Sequence, residues 1–401
     1  MLDLEEAVAR VLAVVPAAVS EDAALDDAAG RVLAEEVRSP IDLPAFDNSA
    51  VDGYAVRAVD VASARPDSPV QLQLIGQVAA GGVFTGRVTQ GTSAQVFTGS
   101  VLPCGADAVV MKEDTDAEAV GASKVTISAR VEPGENVRAQ GEDVRRGARL
   151  VEGGEFLTAA RIGLLAAAGL TSARVGRRPV AGLLATGSEL KEPGQSLAPS
   201  QIYESNRAAL ASLVRGAGAL PRILPLVADS FELTCEALAD AFNHCDVLVT
   251  TGGVSVGDTD LVRRAFQQVG GTLQFWKVAI KPGQPLAFGC RRGKLLFGLP
   301  GNPVSALVTF LLFVRPALLR WQGATCVSPP ICRGVLAEPL ANTGTRRHFL
   351  RVTVDPAGMV RSAGLQASHV MSSAAAANGL VEVPANSTLA AESTVSVLRW
   401  D

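Results

Sequence analysis

The side chains best suited to chemistry in this chain are three carboxylates, Glu189, Asp258 and Asp260, and two lysines, Lys277 and Lys281, all within or beside glycine- and proline-rich turns. Carboxylates of this kind are hard ligands for Mg²⁺ held against a phosphate or another oxyanion, and ammonium groups attract the same anion. If Trp276 to Lys281 runs as a strand, alternation puts Lys277, Ala279 and Lys281 on one face, with both ammonium groups together. Solvated surface is the plainer role for a lysine, but the flanking apolar run and the adjoining Pro282-Gly283 suit anion binding better. Two acids carry a double reading. Asp260 fits a helix N-cap as well as a ligand, and Asp229-Ser230-Phe231-Glu232 has the spacing of a capping box, so Asp229 is either a cap or a site acid.

These residues need elements to position them, and the stretch from Asp246 to Asp260 supplies the first. Val247-Leu248-Val249-Thr250-Thr251 is a continuous apolar and β-branched run, the pattern of a strand buried on both faces. Gly252, Gly253 and Gly257 follow it, and a helical pattern opens after Asp260. Ligands bind open α/β sheets at such a carboxyl edge. Thr186-Gly187-Ser188-Glu189 and Gly298-Leu299-Pro300-Gly301-Asn302-Pro303, followed by Ser305, each follow another predicted strand, so three loops are expected on one edge. Pro303 at a helix start is expected to leave the next N–H groups aimed outward. Neither Gly-x-x-x-x-Gly-Lys nor Gly-x-Gly-x-x-Gly occurs, which disfavours simple ATP hydrolysis and a dinucleotide site.

At 401 residues the chain exceeds what one core usually serves. Apolar residues at 48% and charged residues at 19% describe an ordinary globular chain, and a net charge of -4 argues against a general nucleic-acid binder. Six scattered cysteines form no Cys-x-x-Cys pair, so reduced, buried thiols are expected. The acidic amino terminus and Gly-interrupted apolar runs predict no signal peptide and no membrane span, hence a cytoplasmic protein. The pattern predicts a helix opening after Asp3, a second over Leu25 to Val37, and β segments at Gln71–Ile75, Gln95–Thr98, Ala108–Met111 and Lys124–Ser128. A helix capped by Thr158 ends at Gly169. From Val180 strands and helices alternate, with strands at Val180–Ala185, Arg222–Leu226, Val247–Thr251 and Gln274–Val278, which predicts a parallel α/β domain. After Pro329-Pro330 the chain is again β-like. The expected division is a helical linker domain over 1–44 with 148–176, an inserted β domain over 45–147, an α/β domain over 177–327 and a small β-barrel domain over 328–401.

Seven ordered motifs carry a resemblance: Phe46-Asp47-Asn48-Ser49-Ala50-Val51-Asp52-Gly53-Tyr54-Ala55, Thr98-Gly99, Gly141-Glu142-Asp143, Thr186-Gly187-Ser188-Glu189-Leu190, Gly252-Gly253-Val254-Ser255-Val256-Gly257, Lys281-Pro282-Gly283 and Leu299-Pro300-Gly301-Asn302-Pro303. Together they resemble the molybdopterin molybdenumtransferases, and the carboxy-terminal region of gephyrin is similar. The resemblance implies a multidomain α/β plus β fold whose central three-layer α/β domain is of molybdopterin-binding type. It implies insertion of molybdate into adenylylated molybdopterin, with release of AMP and help from Mg²⁺. It also implies a homodimer with a site shared between subunits, and a molybdopterin adenylyltransferase as handover partner. On matching positions Asp52, Asp143, Glu189, Asp229 and Asp260 are the functional acids, with Glu189 and Asp260 on the metal. Substrate binding falls to Thr98, Gly99, Arg138, Gly252, Gly253, Ser255, Gly257, Asp258, Lys277, Lys281, Pro300, Gly301, Asn302, Pro303 and Ser305. The chain departs from the family's usual residues at Ser188, Ser230 and Gln284. A molybdopterin adenylyltransferase is the alternative enzyme, disfavoured by the flanking β domains, and a non-catalytic scaffold is disfavoured by the five intact acids.

Overall fold

A computed structural model describes residues 1–116, 123–253 and 261–400, and the chain divides into two compact units. The first comprises Met1–Glu35, Gly153–Leu157 and Ala173–Asp401; the second comprises Glu36–Glu152 and Thr158–Ser172.

The first unit is built on a six-stranded sheet in the order Leu220–Ile223, Val180–Ala185, Val247–Thr251, Lys294–Leu299, Ala287–Arg291, Thr272–Phe275. The first four strands are mutually parallel, and every residue of Val247–Thr251 is buried, as a strand covered on both faces requires. The sheet is nevertheless not wholly parallel. Ala287–Arg291 runs antiparallel to both of its neighbours, because Arg292 and Gly293 turn the chain straight back into Lys294–Leu299. The strands expected at Arg222–Leu226 and Gln274–Val278 form earlier, at Leu220–Ile223 and Thr272–Phe275.

Helices Asn206–Gly216, Phe231–His244 and Leu261–Gln268 cover the sheet, and Phe242 packs on Phe266 with ring centroids 5.9 Å apart. The apolar helix from Pro303 to Trp321 is long enough to cross a membrane, yet its most apolar window is 83% buried inside the protein, so it serves as a core helix. Leu4–Ala13 lays Ala7 and Val11 into the same core, and the Asp3 side chain makes no capping bond. The helix expected over Leu25 to Val37 stops after one turn, at Ala28. Val32 and Leu33, which fit the helical period, instead bridge to Phe156 and Val175 in extended backbone, and both are fully buried there.

Beyond Pro330 five strands, Arg347–Val354, Met359–Ser362, Ile331–Leu336, Thr394–Arg399 and Gly379–Val383, close on themselves as a small barrel. The Ile280–Lys281 pair joins the barrel strand Arg347–Val354, matching Lys281 to His348. All six cysteines are free, but only Cys245 is buried; Cys235, Cys290 and Cys332 are partly buried, and Cys104 and Cys326 are exposed.

The second unit holds a six-stranded sheet ordered Ala108–Met111, Gly53–Val56, Thr92–Val96, Val70–Val78, Lys124–Ile127, Thr115–Asp116. Helix Ala159–Ala167 begins where Thr158 accepts a hydrogen bond from the Arg161 N–H and stops before Gly169, matching both predicted ends.

Candidate functional site

Three parallel strands of the first unit end level with one another, Ala185 beside Thr251 and Thr251 beside Leu299. The loops that follow therefore open on one edge, as their position after parallel strands requires. They line a cleft of about 580 Å³ that includes Thr186, Glu189, Gly252, Gly253, Pro300, Gly301, Asn302 and Pro303. Tyr203, Glu204, Asn206 and His369 are also among its walls.

Gly252 adopts φ +83°, and a Cβ there would lie 2.3 Å from the Thr186 carbonyl oxygen, so only glycine lets the two loops meet this closely. The Thr186 hydroxyl is buried and has no hydrogen-bond partner among the described residues, which leaves it able to bind a ligand's polar atom. The Asn206 side-chain amide donates to the Gly301 carbonyl at 2.8 Å and fixes the third loop. Asp229 is not among the lining residues. Its carboxylate accepts the Ser188 N–H at 3.1 Å while its own N–H donates to the Ser188 hydroxyl at 3.1 Å. Ser230, not Asp229, caps helix Phe231–His244, accepting from the Leu233 N–H. Asp229 thus ties its loop to the one that carries Glu189.

A second cleft of about 590 Å³ shares Pro285, Pro300, Asn302 and His369 with the first. Lys281, Arg346, His348, Gln284, Ser305 and Ser368 line it, and no aspartate or glutamate does. Two of the chain's three histidines are here. Arg346 is held by hydrogen bonds from Nη1 to Gln284 Oε1 at 2.8 Å and to the Ile280 carbonyl at 3.1 Å. Burial, then Lys281, Arg351 and Arg346 in turn, push the His348 imidazole down to about 4, so at neutral pH it is uncharged. Arg346, His348, Ser368 and His369 escape sequence reasoning; the only local signal is the basic run Arg346-Arg347-His348 leading into a strand.

Lys277 does not line either cleft with Lys281. The strand ends at Phe275, so the alternation expected through Trp276 to Lys281 breaks, and the Lys277 ammonium sits 4.1 Å from the Trp276 ring centroid. Nor are all the N–H groups after Pro303 free, since Val304 donates to the Ser368 carbonyl at 3.1 Å. Ser255, Gly257, Asp258 and Asp260 lie outside the described residues.

Among the described residues no three His, Cys, Asp or Glu side chains converge as a metal group. Mg²⁺ asks for less: one or two carboxylates, with water and substrate phosphate completing its octahedron. Glu189 at the cleft, with the unpartnered Thr186 hydroxyl in the same wall, fits that demand.

The remaining predicted residues belong to the second unit. Asp52 accepts two hydrogen bonds on one carboxylate oxygen, from the Thr98 N–H at 2.8 Å and the Thr98 hydroxyl at 2.9 Å. The Thr98 N–H and then its hydroxyl hold this exposed acid below the usual carboxylate range. Gly99 donates its N–H to the Ser49 carbonyl at 2.8 Å, and Arg138 pairs with Asn48 in a two-stranded ribbon. Asp143 is anchored by its own N–H on the Leu43 carbonyl at 3.0 Å.

Three family models tile the chain: the MoeA N-terminal region (domains I and II) over residues 2–169, a probable molybdopterin binding domain over 182–320, and the MoeA C-terminal region (domain IV) over 333–400. Molybdopterin molybdenumtransferase 2 of Mycobacterium tuberculosis is 39% identical over 383 residues, covering 94% of each chain. Molybdopterin molybdenumtransferase of Haemophilus influenzae is 36% identical over 93% of this chain and 92% of its own. The crystal structure of the molybdopterin biosynthesis MoeA protein from Pyrococcus horikoshii OT3 superposes along 100% of both chains with a TM-score of 0.86 and 31% identity. On that similarity in sequence and in fold, carried from end to end, the chain belongs to the molybdopterin molybdenumtransferase family.

Proposed function

We propose that this protein inserts molybdate into adenylylated molybdopterin, giving molybdenum cofactor and AMP. One observation carries the reading: a cleft lined by Lys281, Arg346 and His348 without any carboxylate adjoins, through shared wall residues, a cleft lined by the loops at the sheet's carboxyl edge. By the charge of its lining the first suits an oxyanion, and the second, with its loop glycines and Glu189, suits a phosphorylated ligand held with a cation. Lys281 and Arg346 neutralise the oxyanion's charge, and the fixed Arg346 guanidinium offers donors in a set geometry. Ser305 and Asn302 add polar contacts from the wall. Glu189, with Asp260, would hold Mg²⁺, which supplies charge neutralisation at the phosphate. Thr98 keeps Asp52 ionised and oriented for the same reaction.

The proposal includes a homodimer in which Asp52, Thr98, Gly99, Arg138 and Asp143 of one subunit complete the site of the other, and a molybdopterin adenylyltransferase that hands over the substrate. It places the enzyme in the cytoplasm, a compartment in which six free thiols persist.

Purified protein given adenylylated molybdopterin, molybdate and Mg²⁺ should release AMP only when molybdate is present. Unmodified molybdopterin with ATP should give no product, and adenylylation there would replace this reading. Co-refolding Asp52→Asn with Glu189→Gln in equal amounts tests the shared site. Random assortment restores about one quarter of wild-type activity if the site spans two subunits, and essentially none if each subunit is self-contained.

A further inference from the structure

His348 is a buried titratable group whose ring makes no hydrogen bond among the described residues. It is 6% exposed, lines the oxyanion cleft and stands opposite Lys281 across the strand pairing. The charges around it are of one sign. Lys281 and Arg346 line the cleft beside it, and on its own strand Arg351 is wholly buried with its guanidinium donating to the Leu365 and Ala367 carbonyls instead of to an acid. The neighbouring barrel strand contributes Glu382, but that carboxylate is taken by Arg347 at 2.7 and 2.9 Å, as is Glu5 from the first helix at 2.6 and 2.7 Å. From the loop between barrel strands Met359–Ser362 and Gly379–Val383 comes His369.

We propose that His348 takes up a proton when a doubly charged oxyanion enters this cleft, and so becomes a binding residue for molybdate that is charged only while the cleft is filled. The inference rests on the oxyanion reading of the cleft given above. Burial first, and then the cations Lys281, Arg351 and Arg346, push the imidazole down to about 4, so that it is neutral. A dianion adds two negative charges where there were none, and an adjacent opposite charge favours the protonated ring. The ring N–H then donates to an anion oxygen, a charge-assisted bond that no neutral residue here supplies. A permanently charged third cation would instead repel Lys281 and Arg346 whenever the cleft is empty.

The test uses the full-length protein and sodium molybdate. Titration calorimetry in two buffers of different ionisation enthalpy gives the protons taken up per molybdate bound. We expect uptake approaching one near about pH 6, with affinity falling by up to about tenfold per pH unit as the pH rises towards about 7. His348→Gln should abolish the uptake and flatten the pH dependence, while His244→Gln, at the end of helix Phe231–His244 and outside both clefts, keeps both. Because the chain has three histidines, the imidazole C2–H resonances of unmodified protein give a second readout that needs no folded variant: molybdate should shift the His348 signal to its protonated position at about pH 6. Molybdate binding without proton uptake, or uptake that persists in His348→Gln, overturns the inference and leaves the oxyanion cleft standing. No molybdate binding at all overturns both.

Discussion

Gly252→Ala separates the backbone demands of the cleft from those of an ordinary turn. At φ +83° an L-residue is strained by about 1–2 kcal/mol. The new methyl would also lie 2.3 Å from the Thr186 carbonyl oxygen, closer than any real contact of that kind. That carbonyl has little freedom, because the Thr186 N–H donates to Thr251 at 3.0 Å and the residue bridges to Val227. The loop must therefore shift, and forcing an extra methyl into fixed surroundings costs about 1–3 kcal/mol more. Gly194 provides the comparison: its φ is +92°, yet a Cβ there meets nothing within 4 Å, so alanine carries the strain without the clash. The two variants should differ by about 1–3 kcal/mol in urea unfolding of the α/β unit, or some 2 °C or more in melting midpoint. Molybdate-dependent AMP release should fall by about tenfold or more in Gly252→Ala, since small displacements at a site are costly, and stay near wild type in Gly194→Ala. Equal losses of stability would show that the contact with Thr186 relaxes freely, and a fully active Gly252→Ala would remove this loop from the site.

Asp52→Asn keeps an oxygen for the Thr98 donors but removes the charge, so AMP release should drop by about tenfold or more with an unchanged melting midpoint; activity within twofold of wild type would discount the acid. Ser230→Ala should cost about 1 kcal/mol of stability through the lost cap with little effect on turnover, whereas Asp229→Asn, which weakens the tie to Ser188, should do the reverse; the same pattern in both variants would merge the two roles. The His348 imidazole titrates at about 4 when folded against 6.5 when unfolded, so the unfolded chain binds the extra proton between those values. Stability is then full above about pH 6.5 and is lost as the pH falls towards about 4, by ~3 kcal/mol. Urea unfolding across that range should show the loss in wild type and a shallower slope in His348→Gln, and parallel slopes would contradict the assignment.

The parts of the site that were legible in the sequence are those fixed by local pattern. Val247–Thr251 announced itself because a strand covered on both faces reads as a continuous apolar and β-branched run without charged positions, and its burial is complete. The common edge of the three loops followed from strand direction alone, as the level ends Ala185, Thr251 and Leu299 bear out. Thr158 and Gly169 marked their helix by hydrogen-bond chemistry that needs no distant partner. Where distant partners decide, pattern misled. Val32 and Leu33 fit a helical period but lie in bridges to residues far along the chain, and β-bridging to Phe156 and Val175 buries both completely. The antiparallel Ala287–Arg291 strand had a local signal, the polar turn Arg292-Gly293 between two apolar runs, which the regular alternation of strand and helix before it masked.

The oxyanion cleft shows why its second half was hidden. Lys281 stood out because Pro282-Gly283 follows it in an apolar run, a local anomaly that any reader of the chain meets. Strand alternation would group it with Lys277, but the strand ends at Phe275 and the Lys277 side chain turns onto Trp276. What accompanies Lys281 instead is set by the pairing of Ile280–Lys281 with Arg347–His348, a register between two segments far apart in the chain. No periodicity in either segment encodes that pairing, and on its own Arg346-Arg347-His348 reads as the basic start of an edge strand. Alternation does the rest once the pairing exists: Arg347 takes Glu5 and Glu382, while His348 and Arg346 line the cleft. The absence of carboxylates from that wall is therefore a consequence of register, with the acids drawn to Arg347, and on the proposed function it is this segregation of charge that suits the cleft to an anion.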